Sequence, residues 1–291
     1  MNIVLLAFGT SIQYHIQTHL CLLTILKHIN KTDCISLYTD HPEFYKRMEG
    51  CINITTLSKN TLNEWINHTG YIFRVKIKAI EDSAKCHPDE HLLFVDCDTV
   101  LYQPLEEIRA ILDAGQGIMC NNEGHPSKMK GASRKMWKAL AGKTIENCTV
   151  SHQHNVWNSG IIGIPKQKLE EIISLALKTC DFILSLNTNC FTAEQYAFSI
   201  AMQENLEIHP AIKWFIHYWG NKEEWITLAS EFMVSSFLKN KTVREEIQDL
   251  KQFDFTSIPI RRKKHVNNRR LTKLVNRIFP DTVNMQNPSI S

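Results

Sequence analysis

The 291-residue chain has no C-x-x-C pair among its nine cysteines, little glycine (11) and proline (9), and no apolar run long enough to span a bilayer. Each shortage excludes something. Scattered, odd-numbered cysteines without close pairs argue against a zinc site or a disulfide framework, so reduced structural thiols are expected. With no internal repeat and no low-complexity linker, fibrous and disordered architectures are set aside. The opening run "MNIVLLAFGT" breaks at Gly9 and carries no basic leader. It reads as the first core strand of a cytoplasmic protein rather than as a signal peptide. Five N-x-[ST] sequons, for example at Asn53 and Asn147, are then expected to be incidental.

What is present suits a soluble globular domain: 43% hydrophobic and 22% charged residues in 33.6 kDa, enough to bury a large core. The net charge of +3 conceals an asymmetry. Residues 261–280 hold eight Lys/Arg and no acid, which leaves residues 1–260 with 25 basic and 29 acidic groups. The body is acidic, and the positive charge is local to the tail.

Short β-rich runs alternate with helical patterns. "NIVLLAF", "ISLYTD", "NITTL", "HLLFVD", "GIMC", "WNSGIIGI", "LEIHP" and "FIHYW" read as strands. Helices are expected over 15–29, 42–49, 71–85, the segment after Pro104, the stretch after Pro165, "AEQYAFSIAM" behind a Thr192 cap, and 222–253. Repeated βα units predict one α/β domain with a mostly parallel sheet over 1–260 and a separate tail over 261–291.

The most informative stretch is "LLFVDCDTVLY". A buried-looking strand runs into Asp96 and Asp98, and two carboxylates are not tolerated in a core without partners. At i and i+2 beyond a strand end, both can reach a hard divalent cation such as Mn²⁺ or Mg²⁺, which prefers oxygen ligands and accepts phosphate oxygens as co-ligands. The ligand cleft of such a sheet lies beyond the carboxyl ends of its strands. Two chemistries use this pair: transfer from a nucleotide-sugar, and phosphomonoester hydrolysis of the haloacid-dehalogenase type, whose D-x-D-x-[TV] pattern also fits "DCDTV". The phosphatase pattern normally closes the first strand and needs a later acidic pair, and no D-D or G-D-x-x-x-D follows residue 98. A non-catalytic sugar-nucleotide-binding protein is the remaining alternative.

Three further segments carry polar groups at element ends. "VWNSGIIGI" offers Asn158 and Ser159, with Gly160 permitting close backbone approach. "TAEQYAF" places Glu194 and Gln195 in a first helical turn, where they can cap or face a cleft. "FIHYWGNKEEW" holds His217, Gly220 and Lys222: imidazole can ligate a metal, and an ammonium can meet a diphosphate.

In their order, "FVDCDTVL", "WNSGIIGI", "AEQYAF" and "HYWGNK" resemble the glycosyltransferase family 8 enzymes, over roughly residues 1 to 225. The resemblance implies a single Rossmann-like nucleotide-diphospho-sugar transferase domain, a UDP-sugar donor, a glycan or glycolipid acceptor and a Mn²⁺ or Mg²⁺ ion. By position it implies Asp96, Asp98 and His217 as metal ligands and Lys222, with Gly220, at the diphosphate. Ala7, Phe8, Thr10 and Cys97 would lie at the nucleoside and donor, while Asn158, Glu194 and Gln195 would meet the sugar. Arg74 and Lys78, one helical turn apart, either add positive charge at the phosphates or belong to a solvated helix face or a surface ion pair. Two features depart from the family pattern: Glu194 stands where Asp is usual, and Gly220 and Lys222 are closer together.

In the tail, Leu271, Leu274, Val275, Ile278 and Phe279 recur at helical spacing among Arg269, Arg270, Lys273 and Arg277. Such a basic amphipathic helix is expected to lie at an anionic membrane surface, the inner face if the protein is cytoplasmic, or to dock on the body. No nucleic-acid motif accompanies the basic residues, so nucleic acid is not an expected partner.

Overall fold

In the computed structural model the described residues are 1–186, 191–255 and 257–261, and beyond them 271, 274, 275 and 277–279. Strands β1 (Asn2–Ala7), β2 (Cys34–Thr39), β3 (Asn53–Thr56) and β4 (Leu92–Val95) are joined through helices α1 (Ile12–Leu26), α2 (Lys59–Ile66) and α3 (Arg74–Cys86). β5 (Thr99–Leu101) follows β4 almost directly, and α4 (Glu106–Asp113) leads to β6 (Gly117–Met119) and β7 (Asn122–Gly124). Next come α5 (Ala132–Leu140), a small hairpin of β8 (Thr144–Ile145) and β9 (Cys148–Thr149), then β10 (Val156–Trp157) and β11 (Ile161–Ile164). Helices α6 (Leu169–Ser185) and α7 (Ala193–Asn205), strands β12 (Ile208–Pro210) and β13 (Phe215–His217), and helices α8 (Lys222–Leu238) and α9 (Val243–Asp249) complete the body.

Seven strands form one sheet in the order β12-β6-β11-β4-β1-β2-β3. All neighbours are parallel except β11, which runs antiparallel to both β4 and β6. This is the mostly parallel α/β arrangement that the alternating pattern implies. Successive residues of a strand face opposite sides. Accordingly Ile3, Leu5, Leu93 and Val95 enter one core with α1, α4 and α8, and Val4, Leu92 and Phe94 enter the other with α3, α6 and α7. Burial on both faces explains why β1 and β4 are continuous apolar runs rather than alternating ones.

Three expectations change on inspection. "WNSGIIGI" is two strands, broken at Asn158–Gly160, where the polar side chains make bonds of their own. The helix expected over 222–253 is divided: Asn240 takes a positive φ of 50°, and Thr242 restarts the chain with a capping box to Glu245. Thr192 precedes α7 but makes no side-chain capping bond to it.

β1 has β2 on one side and β4 on the other, so the chain reverses its direction of travel across the sheet between β1 and β4. A crevice opens beyond the carboxyl ends of two strands at such a switch point. Phe8–Thr10 leave β1 there and Asp96–Asp98 leave β4 there. Because β11 is antiparallel to β4, pairing Ile161 with Val95, its starting residues Asn158–Gly160 reach the same edge. β13 pairs antiparallel with β5, His217 opposite Thr99, which lays His217 over Asp98.

Of the tail, Arg262, Lys263, Lys264, Arg269, Arg270 and Lys273 lie outside the described residues. Leu271, Leu274, Val275, Ile278 and Phe279 are all exposed. Among the described residues, no helix is long and apolar enough to cross a membrane.

Candidate active site

Asp96 and Asp98 follow β4 in a tight turn, held where Asp96 N–H donates to Gly160 O (2.7 Å) and Thr99 Oγ1 donates to Asp96 O (2.8 Å). The intervening Cys97 thiol donates to Leu6 O (3.2 Å) and so ties the turn to the end of β1. One carboxylate oxygen of each Asp and a ring nitrogen of His217 all lie within 4.8 Å of one another. Two hard oxygens with one imidazole suit Mn²⁺ or Mg²⁺.

The histidine is pre-set for that role. Asn158 Oδ1 accepts from Gly160 N–H (3.0 Å) and stands 3.0 Å from His217 Nδ1. An oxygen acceptor at Nδ1 keeps a ring proton on that nitrogen, so Nε2, 3.2 Å from Asp98 Oδ1, is the atom that would meet a cation once its own proton is given up. The ring lies directly on the backbone of Gly160, where a β-carbon would sit 2.3 Å from Cε1. The donor set and its orientation therefore fit a divalent cation.

Charges around the pair are balanced by cations. Asp98, almost fully buried, contacts His217 and Lys222 Nζ (2.8 Å). Burial alone would raise its pKa, but those two partners outweigh it and hold the carboxyl well below the usual range. The reciprocal effect appears on the imidazole: burial opposes its charge, yet the Asp98 hydrogen bond pushes its pKa up to about 10. Asp96 differs. Desolvation raises its pKa, Lys76 offsets part of that, and the charge of Asp98 adds to it.

Lys76 is the residue that pattern reading missed. It is buried in α3 and its Nζ reaches Asp96 Oδ1 (3.2 Å), Glu194 Oε1 (2.9 Å) and Ser159 O (2.7 Å), with the Phe94 ring 4.7 Å away. Burial disfavours its charge, but the two carboxylates outweigh that and raise its pKa. The other three cations of α3 are engaged elsewhere: Arg74 makes a bidentate pair with Asp181 (2.7 and 2.9 Å), and Lys78 and Lys85 both pair with Glu81. The structure does not bring Arg74 or Lys78 to the acidic pair. A stride of two places Lys76 on a different side of the helix from Lys78, so the i, i+4 spacing of Arg74 and Lys78 was the wrong guide to which cation faces the sheet.

Glu194 and Gln195 occupy the first turn of α7. Glu194 is buried and accepts from Ser159 Oγ (2.7 Å) besides pairing with Lys76. Gln195 Nε2 donates to Glu123 Oε2 (3.1 Å), while Glu123 Oε1 lies 3.3 Å from Asn158 Nδ2. Glu123, on the short β7, is thus a second unforeseen member; no periodic pattern surrounds it. On the β1 side Ala7 is buried, Phe8 half-buried and Thr10 exposed. Gly9 N–H donates to Asp40 (3.0 Å), with φ at +95°, and shapes the turn beside Cys97. Gly220 forms a bridge with Arg261, whose guanidinium lies 5.2 Å from the Trp219 ring centre.

No protein-family model matches the chain, and no curated protein sequence matches it. Similar solved structures include galactosyltransferase LgtC in complex with donor and acceptor sugar analogues, at 11% identity and a TM-score of 0.48, covering 72% of this chain and 74% of that one. Another is mouse xyloside xylosyltransferase 1 in its apo form, at 11% identity and a TM-score of 0.46, covering 72% of this chain and 85% of that one.

Proposed function

We propose that the protein is a metal-dependent glycosyltransferase that moves a hexose, glucose or galactose, from a UDP-sugar to a hydroxyl of a glycan or glycolipid acceptor. One observation carries the reading: Asp96, Asp98 and His217 converge at the sheet's switch point with Lys222 beside them. The order of the four sequence segments points the same way.

In this reading Asp96, Asp98 and His217 hold Mn²⁺ or Mg²⁺, which when bound offsets charge developing on the departing diphosphate. Lys222 contacts the diphosphate, with Gly220 leaving room for it. Ala7, Phe8, Thr10 and Cys97 line the nucleoside side. Asn158, Glu194 and Gln195 meet the sugar. Lys76 holds Asp96 and Glu194 in place. Arg74 ties α3 to α6 through Asp181, and Lys78 pairs within α3 with Glu81.

Retention at the anomeric carbon fits the available groups. Glu194 is tied to Lys76 and Ser159, and the amide of Gln195 is a poor nucleophile, so attack by the acceptor on the face the leaving group departs from suits the site better than a covalent intermediate. The test is a panel of UDP-sugars assayed for Mn²⁺-dependent hydrolysis and transfer, with Asp98→Asn as control. Turnover of one UDP-hexose, lost in the variant, supports the reading. Phosphomonoester turnover with no use of any UDP-sugar refutes it.

A further inference from the structure

A cavity of about 1130 Å³ opens beside His217, and its lining is of mixed character. Its wall nearest the cation ligands carries Asn121, Glu123 and His217. The rest is mixed: Lys27, Tyr102, Lys251, Asp254 and Arg261 line it, but so do Met129, Phe253, Phe255 and Ile258, together with Ile212, Trp219 and Ile260. The last three are 58%, 46% and 47% exposed, so apolar surface gathers where the cavity meets solvent. Solvent-facing apolar groups grouped around a cavity mark a binding surface rather than ordinary scatter. The segment that closes this side is pinned in place: Asn221 Nδ2 donates to Pro259 O (2.8 Å), and Gly220 bridges to Arg261.

A purely saccharide acceptor would be met by hydrogen-bonding groups along its length. Met129, Ile212, Phe253, Ile258 and Ile260 offer none, so part of the lining has nothing to bond a sugar ring. The volume also exceeds the usual range for a drug-sized ligand, leaving room for a hydrocarbon chain beyond one sugar ring. We infer that this cavity takes the hydrocarbon portion of an amphiphilic acceptor, a glycoside whose reacting sugar sits at the His217 end and whose alkyl or polyprenyl chain runs out past Ile212 and Ile260. The inference rests on the transferase reading above for the identity of the polar end; the apolar channel is read from the lining alone.

The full chain is titrated with methyl, hexyl and octyl β-glucosides below their micellar concentrations, by calorimetry and by saturation-transfer NMR of the alkyl protons. Affinity should rise roughly fourfold per methylene buried, the equivalent of about 0.8 kcal/mol. Ile212→Glu and Ile260→Glu, both at exposed positions, should weaken octyl glucoside by tenfold or more while leaving UDP binding in Mn²⁺ unchanged. Equal affinity for the methyl and octyl compounds, or octyl binding untouched by both variants, overturns the proposal. UDP binding is measured in parallel: its absence from the wild type would strike the transferase reading, whereas the chain-length series judges the cavity by itself.

Discussion

His217 rests on Gly160: a β-carbon at that position would lie 2.3 Å from Cε1 and 2.4 Å from Nδ1 of the ring. The ring's hydrogen bond to Asn158 and its approach to Asp98 therefore depend on a residue two positions into the turn before β11. Gly160→Ala should push the imidazole off both partners. Overpacking of this kind costs about 1 to 3 kcal/mol. Mn²⁺ affinity should fall by roughly ten- to a hundredfold, as it does when outer partners of a ligating histidine are lost. Manganese titration alongside thermal unfolding separates the two effects, and an unchanged Mn²⁺ affinity would mean that His217 is not a ligand.

Lys76 stands between Asp96 and Glu194 with both carboxylates in contact. Lys76→Met would leave a buried carboxylate at Glu194 without its cation, a change that typically costs about 3 to 5 kcal/mol. Adding Glu194→Gln should recover part of the loss, so the double variant should be more stable than the sum of the two single changes predicts. Urea unfolding of the four proteins measures this. Strict additivity would show that the pair does not act as a unit.

These two residues show how far the sequence could be read. The acidic pair stood out because it sits just beyond an apolar strand, where a charge must have a purpose, and His217 and Lys222 because they end β13 and open α8 within six residues. Lys76 was not: in "FRVKIKAI" three cations alternate with apolar residues, and only the packing of α3 on the sheet decides which of them turns inward. The sheet was legible from its apolar runs. The reversed direction of β11 was not, since a buried strand looks the same whichever way it runs. That reversal is what brings Asn158 to the aspartates. Glu123 lies in a three-residue strand too short to carry any period.

Away from the site, His19 gives the protein a pH dependence. Burial dominates and depresses its pKa from 6.5 to about 4, the hydrogen bond to Phe44 O (2.8 Å) only partly opposing it. The unfolded chain therefore takes up a proton near 6.5 that the folded ring refuses until about 4. Stability is intact above 6.5 and falls as pH drops through that window, by about 3 kcal/mol in full at 1.36 kcal/mol per pH unit. Urea midpoints at pH 7, 5.5 and 4 should decline for the wild type and decline less for His19→Gln. Parallel profiles would assign the loss to other groups.

The tail's apolar residues Leu271, Leu274, Val275, Ile278 and Phe279 are exposed, which favours a partner other than the body. With about 1 kcal/mol for each Lys/Arg near an anionic leaflet, eight such residues should hold the chain to acidic vesicles at low salt. Co-sedimentation with phosphatidylserine liposomes should drop at least tenfold for a chain ending at Arg261. Equal sedimentation of both would remove the membrane role.

The central claim is that Asp96, Asp98 and His217 bind a divalent ion that a nucleoside diphosphate shares, and calorimetric titration of UDP with and without Mn²⁺ tests it most directly. Asp98→Asn keeps the buried shape while removing the charge that Lys222 and His217 face. The wild type should bind UDP at least tenfold more tightly with Mn²⁺, and the variant should show no such gain. UDP affinity in the wild type that is the same with and without the ion would contradict the account.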